Sequence, residues 1–213
     1  MTGVDSAAAR PLIAVLDYGI GNLRSAQKAL ERMGADARLT ADHRLVADAA
    51  GVVLPGVGAF GACIQALQQA GLAEDAIEAA GSPRPFLGVC VGMQMLFDGS
   101  DESPDVDGLG VFAGRIRRLP DGVKHPQMQW NTLVVEHQHS LLDGLRDPSW
   151  MYFVHSYAPE RSAGGDEVVA SCEYGGPIVA AVARDNVFAT QFHPEKSGDD
   201  GLKLLANFAA SCT

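Results

Sequence analysis

Short apolar runs alternate with helix-like segments in the first half of the chain, and this alternation limits the possible folds more than any other feature. Leu12–Leu16, residues 51–54 and residues 85–89 are almost continuously apolar, as expected of strands buried on both faces of a parallel sheet. The segments that follow the first two runs carry apolar residues at helical spacing. The alternation therefore predicts parallel strands joined by right-handed crossovers.

The second half of the chain has a different pattern. Residues 98–107 are acidic and rich in turn formers, which predicts a loop, and residues 111–191 contain mainly strand-like runs. A closing helix is predicted over residues 199–210. We therefore predict an α/β fold with an open, mostly parallel sheet flanked by helices, to which the second half adds antiparallel strands. We interpret residues 1–213 as a single domain, with a loose leader over residues 1–11.

The composition argues against several classes of function. The net charge of −10 disfavours binding to nucleic acid or to an anionic membrane surface. No apolar run approaches the roughly 20 residues that span a bilayer, and the first residues do not have the pattern of a signal peptide. The four cysteines are scattered without C-x-x-C spacing, which predicts a reduced, cytoplasmic protein without structural zinc.

One cysteine stands where a predicted strand meets a predicted helix. Cys90 lies in the sequence GVCVG, between the apolar residues 85–89 and the helix-like residues 93–97. This is the layout of a nucleophile elbow, with sulfur in place of oxygen. For Cys90 alone an inert core residue is an equally good interpretation, and it is the one we adopt for Cys63, Cys172 and Cys212.

A candidate base follows the last predicted strand. His193 lies at the edge of the sheet where the active sites of open α/β folds are found, and Glu195 could accept a hydrogen bond from its second ring nitrogen. The alternative is an ordinary surface loop. His155 ends another predicted strand, so it is either a rival base or a residue lining the same cleft.

Two backbone N–H groups are candidates for an oxyanion hole. Gly56 follows a buried strand and could orient its peptide so that the Val57 N–H points into the site, and Val91 directly follows the nucleophile. The alternative for residues 55–58 is a simple strand-to-helix turn.

Two further motifs are interpreted as structural. Gly19 and Gly21 resemble the start of a dinucleotide fingerprint, with Asp42 as its ribose ligand, but Arg24 replaces the third glycine and favours a tight turn. His137 and His139 could ligate a metal, although a solvated loop is the more common arrangement. We therefore predict no metal site.

The motifs together resemble a known family. GVCVGMQ at residues 88–94 and FHPE at 192–195 resemble the class I (triad) glutamine amidotransferases. Other motifs resemble, within that family, the glutaminase subunits of imidazole glycerol phosphate synthase: DYGIGN at 17–22, PGVGAF at 55–60, FVHSY at 153–157 and HPEKS at 193–197. The resemblance extends from Leu12 to the closing helix. It implies a flavodoxin-like, three-layer fold.

The resemblance also implies a reaction. Cys90 would attack the side-chain amide of L-glutamine, and His193, oriented by Glu195, would protonate the leaving ammonia and then activate water. The residues implied to hold the polar ends of glutamine are Gln94, Glu102, Ser156 and Tyr157. No cofactor is implied.

The partner implied by the resemblance is a (β/α)₈ cyclase subunit that receives the ammonia for histidine biosynthesis. In this family the glutaminase is nearly silent until the partner binds its ligand. The residues implied to face the partner are Trp130, Asn131, Tyr152 and Lys196. This chain departs from the usual Pro-His-Met-Gly-Trp-Asn at Gln127 and Gln129.

Three other functions remain open from the sequence. The chain could be the glutaminase subunit of another synthase, such as anthranilate or carbamoyl phosphate synthase, although those commonly have His in place of Met93. It could be a stand-alone cysteine hydrolase. It could also be a binding subunit without activity, although all three residue types of the triad are present.

Overall fold

The structure, a computed structural model, describes residues 10–161 and 165–213. Most of the predicted leader, residues 1–9, lies outside the described residues, and Arg10 and Pro11 precede the first strand. The main sheet has eight strands. In spatial order they are β2 (Asp36–Thr40), β1 (Leu12–Leu16), β3 (Gly51–Gly56), β4 (Phe86–Cys90), β14 (Val187–Thr190), β13 (Pro177–Arg184), β12 (Val168–Glu173) and β9 (Val134–Val135).

The two halves of this sheet differ in strand direction, as predicted. All pairings from β2 to β14 are parallel, whereas β14–β13, β13–β12 and β12–β9 are antiparallel. Parallel neighbours need long crossovers, which the first half supplies as helices, while a short hairpin suffices between β13 and β14. Every residue of β3 and β4 is buried, which explains their continuous apolar sequences.

Helices cover both faces of the sheet. α1 (Leu23–Arg32) contacts α6 (Gly198–Ser211), while α4 (Ala73–Gly81) contacts both α2 (His43–Asp48) and α3 (Phe60–Gln69). α1 connects β1 to β2, whereas α2 connects β2 to β3 and so crosses the sheet in the opposite direction. Right-handed crossovers therefore place α1 and α2 on opposite faces of the sheet. The result is the three-layer arrangement predicted from the sequence.

Two smaller sheets lie beside the main one. β8 (Gln127–Thr132) pairs antiparallel with β10 (Trp150–His155). The other sheet has the order β11 (Tyr157–Pro159), β7 (Phe112–Arg118), β5 (Phe97–Ser100) and β6 (Ser103–Asp107).

The loop prediction for residues 98–107 was wrong, because β5 and β6 form a strand pair there. Most side chains of β6 are exposed and two are acidic, so the strand is held by its backbone pairing at the edge of a sheet. An edge strand of this kind carries no alternating apolar pattern, and its composition imitates that of a loop. Within the described residues, no helix has both the length and the apolarity needed to cross a membrane.

The turn after β4 packs directly against β3. α5 (Val91–Met95) begins immediately after Cys90, and a Cβ atom added to Gly92 would lie 1.8 Å from the Leu54 carbonyl oxygen. A contact this short with backbone can be relieved only by moving the strand or the helix. Gly92 therefore sets the distance between α5 and β3.

We predict that Gly92→Ala lowers the free energy of unfolding by about 3 kcal/mol or more, because the added methyl group separates α5 from β3. Urea unfolding of both proteins measures the loss. Gly81→Ala is the matched control, since the last residue of α4 has nothing within 4 Å of an added Cβ. It should leave the stability unchanged or raise it by about 0.5–1 kcal/mol. Equal losses in the two variants would contradict the packing argument.

Candidate active site

Cys90 occupies a strained turn between β4 and α5. Its backbone has φ 55° and ψ −112°. Within the described residues, Cys90 is one of two non-glycine residues with a positive φ. The cost of such a conformation is about 1–3 kcal/mol, so the surrounding structure must enforce it. β4 does so, because it is paired on one side with β3, where Gly56 faces Cys90, and on the other with β14.

His193 and Glu195 form a buried pair beside this turn. His193 Nδ1 lies 2.9 Å from Glu195 Oε1, and the two side chains are only 2% and 3% exposed. β14 is the neighbour of β4, so the chain that leaves β14 reaches the same edge of the sheet as Cys90. With Nδ1 held by Glu195, Nε2 is the ring nitrogen left for the sulfur.

The surroundings favour a charged imidazole. Burial opposes the charge of His193, but the ring's interactions with the Cys90 sulfur and the Glu195 carboxylate outweigh it and raise the pKa of His193 to about 9. Asn22 adds a hydrogen bond to the same carboxylate, from Nδ2 to Glu195 Oε1 at 3.4 Å. An imidazolium beside the sulfur is the arrangement that a thiol nucleophile requires.

Cys90 and His193 line a cavity of about 280 Å³. This is slightly smaller than the roughly 300–1,000 Å³ of pockets for drug-sized ligands, and it suits a small polar molecule. The structure brings most of the predicted site residues to its wall: Val57, Val91, Gln94, Glu102, Ser156 and Tyr157. Gly56 is not part of the wall and lies behind it, paired with Cys90.

The two side chains predicted to hold the substrate are themselves fixed. Gln94 Nε2 donates to the carbonyl of Tyr157 at 2.9 Å and to Gln191 Oε1 at 3.0 Å. Both amide hydrogens are thereby used, so its carbonyl oxygen is the group left for a ligand. Glu102 Oε2 accepts from the Phe60 N–H at 2.8 Å, which anchors the carboxylate at the start of α3.

The segment at residues 155–157 is also tied in place. The Tyr157 carbonyl accepts from His155 Nδ1 at 2.8 Å, and the Ser156 carbonyl accepts from the Leu119 N–H at 2.9 Å. Burial, with a smaller contribution from nearby His193, lowers the pKa of His155 to about 4. His155 is therefore a neutral residue of the cavity wall, and His193 is the histidine paired with a carboxylate.

One residue of the site was missed by the sequence analysis. Gln191 is fully buried, receives the hydrogen bond from Gln94, and places its own Nε2 3.7 Å from Cys90 Sγ. It directly follows β14 and stands two residues before His193, where a polar residue among mainly apolar ones was the available signal.

The motifs interpreted as structural have structural partners. Asp42 caps α2 by accepting from the N–H groups of Arg44 and Leu45. His139 Nδ1 accepts from the Leu141 N–H, and burial lowers the pKa of His139. Within residues 10–161 and 165–213, no three His, Cys, Asp or Glu side chains are grouped as metal ligands.

The residues predicted to face a partner lie on and around the β8–β10 sheet. Trp130 and Tyr152 are cross-strand neighbours whose rings meet edge to face at 5.9 Å, and the Trp130 residue is 47% exposed. Met128 and Trp150 add exposed apolar area to the same sheet. Asn131 is half-buried and donates to the Glu173 carbonyl, whereas Lys196 is exposed.

The sequence model of the class-I glutamine amidotransferases matches residues 14–212. The chain therefore belongs to this family. The solved structure of PurLQS from Thermotoga maritima shares the fold, with a TM-score of 0.72 at 21% identity, over 94% of this chain and 98% of that one.

Curated relatives define the subfamily. A protein of Methanothermobacter thermautotrophicus is 48% identical over 92% of this chain and 97% of its own length, and one of Dechloromonas aromatica is 51% identical over 92% and 94%. Both carry the name imidazole glycerol phosphate synthase subunit HisH. At this identity and coverage, the chain belongs with the HisH subunits.

We predict that His155 makes the stability of the protein depend on pH. Its pKa is lowered in the folded state from an ordinary value near 6.5 to about 4, so only the unfolded chain gains this proton between those values. The stabilisation is fully present above about pH 6.5 and is lost as the pH falls towards 4. Between pH 7 and pH 5, the wild type should lose about 2 kcal/mol of unfolding free energy more than His155→Gln.

Urea unfolding at a series of pH values measures this difference. Above pH 7 the stabilities of wild type and variant should run parallel, which is the internal control for any constant effect of the substitution. Parallel curves from pH 7 to pH 5 as well would contradict a lowered pKa of His155.

Proposed function

We propose that this chain hydrolyses the side-chain amide of L-glutamine to glutamate and ammonia, and supplies the ammonia to a (β/α)₈ cyclase subunit of imidazole glycerol phosphate synthase. The observation that carries the proposal is the buried Cys90–His193–Glu195 cluster, of which Cys90 and His193 line a small cavity. The names of the relatives support the particular synthase.

The roles of the three residues follow from their arrangement. The Cys90 sulfur attacks the amide carbon, and His193 gives its proton to the leaving nitrogen, so that ammonia departs and a thioester remains. His193 then takes a proton from water, which attacks the thioester and releases glutamate and the free thiol. Glu195 holds the ring through Nδ1 and stabilises its charge.

The negative charge that develops on the amide oxygen needs donors. The backbone N–H groups of Val57 and Val91 are our candidates, supported by the position of both residues on the cavity wall with Cys90. Gly56 contributes indirectly, because only a residue without a Cβ fits there. An added Cβ would lie 2.6 Å from the Gly92 nitrogen.

The α-amino and α-carboxylate groups of glutamine need opposite partners. The Glu102 carboxylate and the Gln94 carbonyl oxygen are acceptors, which suits the ammonium group of the substrate. Ser156 and Tyr157 complete the wall, and their carbonyls already accept hydrogen bonds within the protein. We therefore assign backbone N–H groups of this segment to the carboxylate.

The cyclase is proposed to dock on the surface around the β8–β10 sheet, where Trp130 and Tyr152 share one face and Asn131 and Lys196 lie nearby. An exposed tryptophan packed on a tyrosine is a common anchor of protein interfaces. A backbone hydrogen bond connects this face to the active site, since the Tyr152 carbonyl accepts from the His193 N–H at 3.0 Å. We also propose a cytoplasmic location, supported by the four free cysteines.

We predict that Cys90→Ala abolishes glutamine-dependent synthesis by the complex and leaves synthesis from added ammonium salts, because the partner still receives ammonia. Glutamate release and product formation are measured with the cyclase and its nucleotide ligand, first with glutamine and then with ammonium salts. Glu195→Gln is the comparison: it should cost less than Cys90→Ala, since the orienting residue of a triad is often the most dispensable.

Two outcomes would count against these assignments. Glutamine-dependent turnover by Cys90→Ala would exclude the sulfur as the nucleophile. Full glutaminase activity of the wild-type chain without any partner would favour an independent hydrolase over a synthase subunit.

We predict that Trp130→Ala weakens binding of the cyclase at least tenfold, because it removes an exposed aromatic anchor and exposes its neighbour Tyr152. Isothermal titration of the cyclase into each protein gives the affinities. Ile77→Ala is the matched control, since Ile77 of α4 is 46% exposed, like Trp130, but lies away from the β8–β10 sheet. An equal effect of both substitutions would contradict the proposed face.

A further inference from the structure

Two buried side chains hold the backbone on either side of one peptide. The Tyr18 hydroxyl donates to the Pro55 carbonyl, and the Cys63 thiol donates to the Val57 carbonyl with Sγ 3.2 Å from the oxygen. Both side chains are buried. The two carbonyls flank the peptide that joins Gly56 to Val57, which is the peptide whose N–H belongs to Val57.

Both donors keep their protons at neutral pH. Burial is the main cause that raises the pKa of Tyr18, and the neighbouring Cys63 raises it further. Burial is also the main cause that raises the pKa of Cys63. The mechanism above uses neither group, so hydrogen bonding to the backbone is their contribution at this place.

We propose that Tyr18 and Cys63 are positioning residues that clamp residues 55–57 and so orient the Val57 N–H. The inference rests on the proposed function, in which that N–H helps to bind the oxyanion. The peptide between Gly56 and Val57 can turn in two ways: the neighbouring peptide planes turn with it, or ψ of Gly56 and φ of Val57 change to compensate. Fixing the carbonyl on each side therefore restricts the direction of the N–H between them.

The α5 backbone also lies close to the same segment. A Cβ added to Gly56 would lie 2.6 Å from the Gly92 nitrogen, which shows how closely α5 approaches. The α5 backbone therefore restricts the segment in addition to the clamp. This restriction matters because a donor of the oxyanion hole must lie about 2.7–3.1 Å from the position that the oxyanion takes.

The test is the steady-state glutaminase kinetics of Cys63→Ala in complex with the cyclase and its nucleotide ligand. The oxyanion forms only in the transition state, so kcat should fall about tenfold, the factor of a typical hydrogen bond, while KM stays unchanged. Cys63→Ser keeps a donor and should recover most of kcat. A substitution that acted only on stability would lower the melting temperature without this separation of kcat from KM.

Cys212→Ala is the matched control. Cys212 is buried and donates to the Phe208 carbonyl with the same sulfur–oxygen distance of 3.2 Å, but it lies after α6 and away from the cavity. Its kcat should equal that of the wild type. An equal fall of kcat in Cys212→Ala and Cys63→Ala would overturn the proposal.

Tyr18→Phe provides a second test of the same clamp. It removes only the hydroxyl group, so kcat should fall while KM stays unchanged. In the double variant with Cys63→Ala the two losses should not add, because both act through one peptide. Additive losses would overturn the clamp as a unit.

The outcomes separate this inference from the proposed function. If the wild-type complex releases no glutamate from glutamine, the proposed function fails. If the wild-type complex is active and Cys63→Ala has an unchanged kcat, the clamp fails and the proposed function stands.

Discussion

The close contact between α5 and β3 is the constraint on which the rest of the site depends. Gly92 lies against the Leu54 carbonyl, so the turn between β4 and α5 must follow a path that keeps the two backbones in contact. That path imposes the positive φ of Cys90, which an unsupported residue would avoid. Because the backbone of Cys90 is held in this conformation, the direction of its sulfur atom is fixed. The pairing of β3 with β4 brings Gly56 opposite Cys90, and the next residue, Val57, lies on the wall of the cavity.

The division of the main sheet explains how distant parts of the sequence meet at this turn. β4 ends at Cys90, and its parallel neighbour β14 leads to His193 at the same edge. The antiparallel half lets β13 and β14 follow one another directly, so that the last strand can return beside β4. β10 then completes the arrangement, since its Tyr152 carbonyl binds the His193 backbone. A partner on the exposed face of β10 would be one backbone hydrogen bond away from His193, the proposed base.

The residues found from the sequence share a property. Cys90, His193 and Glu195 stand in short motifs at the ends of apolar strands, and such motifs are recognisable without knowledge of contacts. Gln191 and Cys63 were not recognised as residues of the site. Gln191 contacts residues roughly 100 positions away in the sequence, and Cys63 acts through a hydrogen bond to a backbone carbonyl. Residues 98–107 were assigned to a loop because an exposed edge strand has no periodic apolar pattern.

The sequence alone therefore determined the strand–helix alternation, the parallel first half of the sheet and the residues proposed as nucleophile, base and orienting carboxylate. These follow from local patterns of burial and from residue chemistry. Only the tertiary structure decided that His155 is a neutral wall residue, that Asn22 reaches Glu195 and that Tyr18 binds the backbone beside Val57. Such contacts depend on burial and on distances between segments far apart in the chain, and no local pattern encodes either quantity.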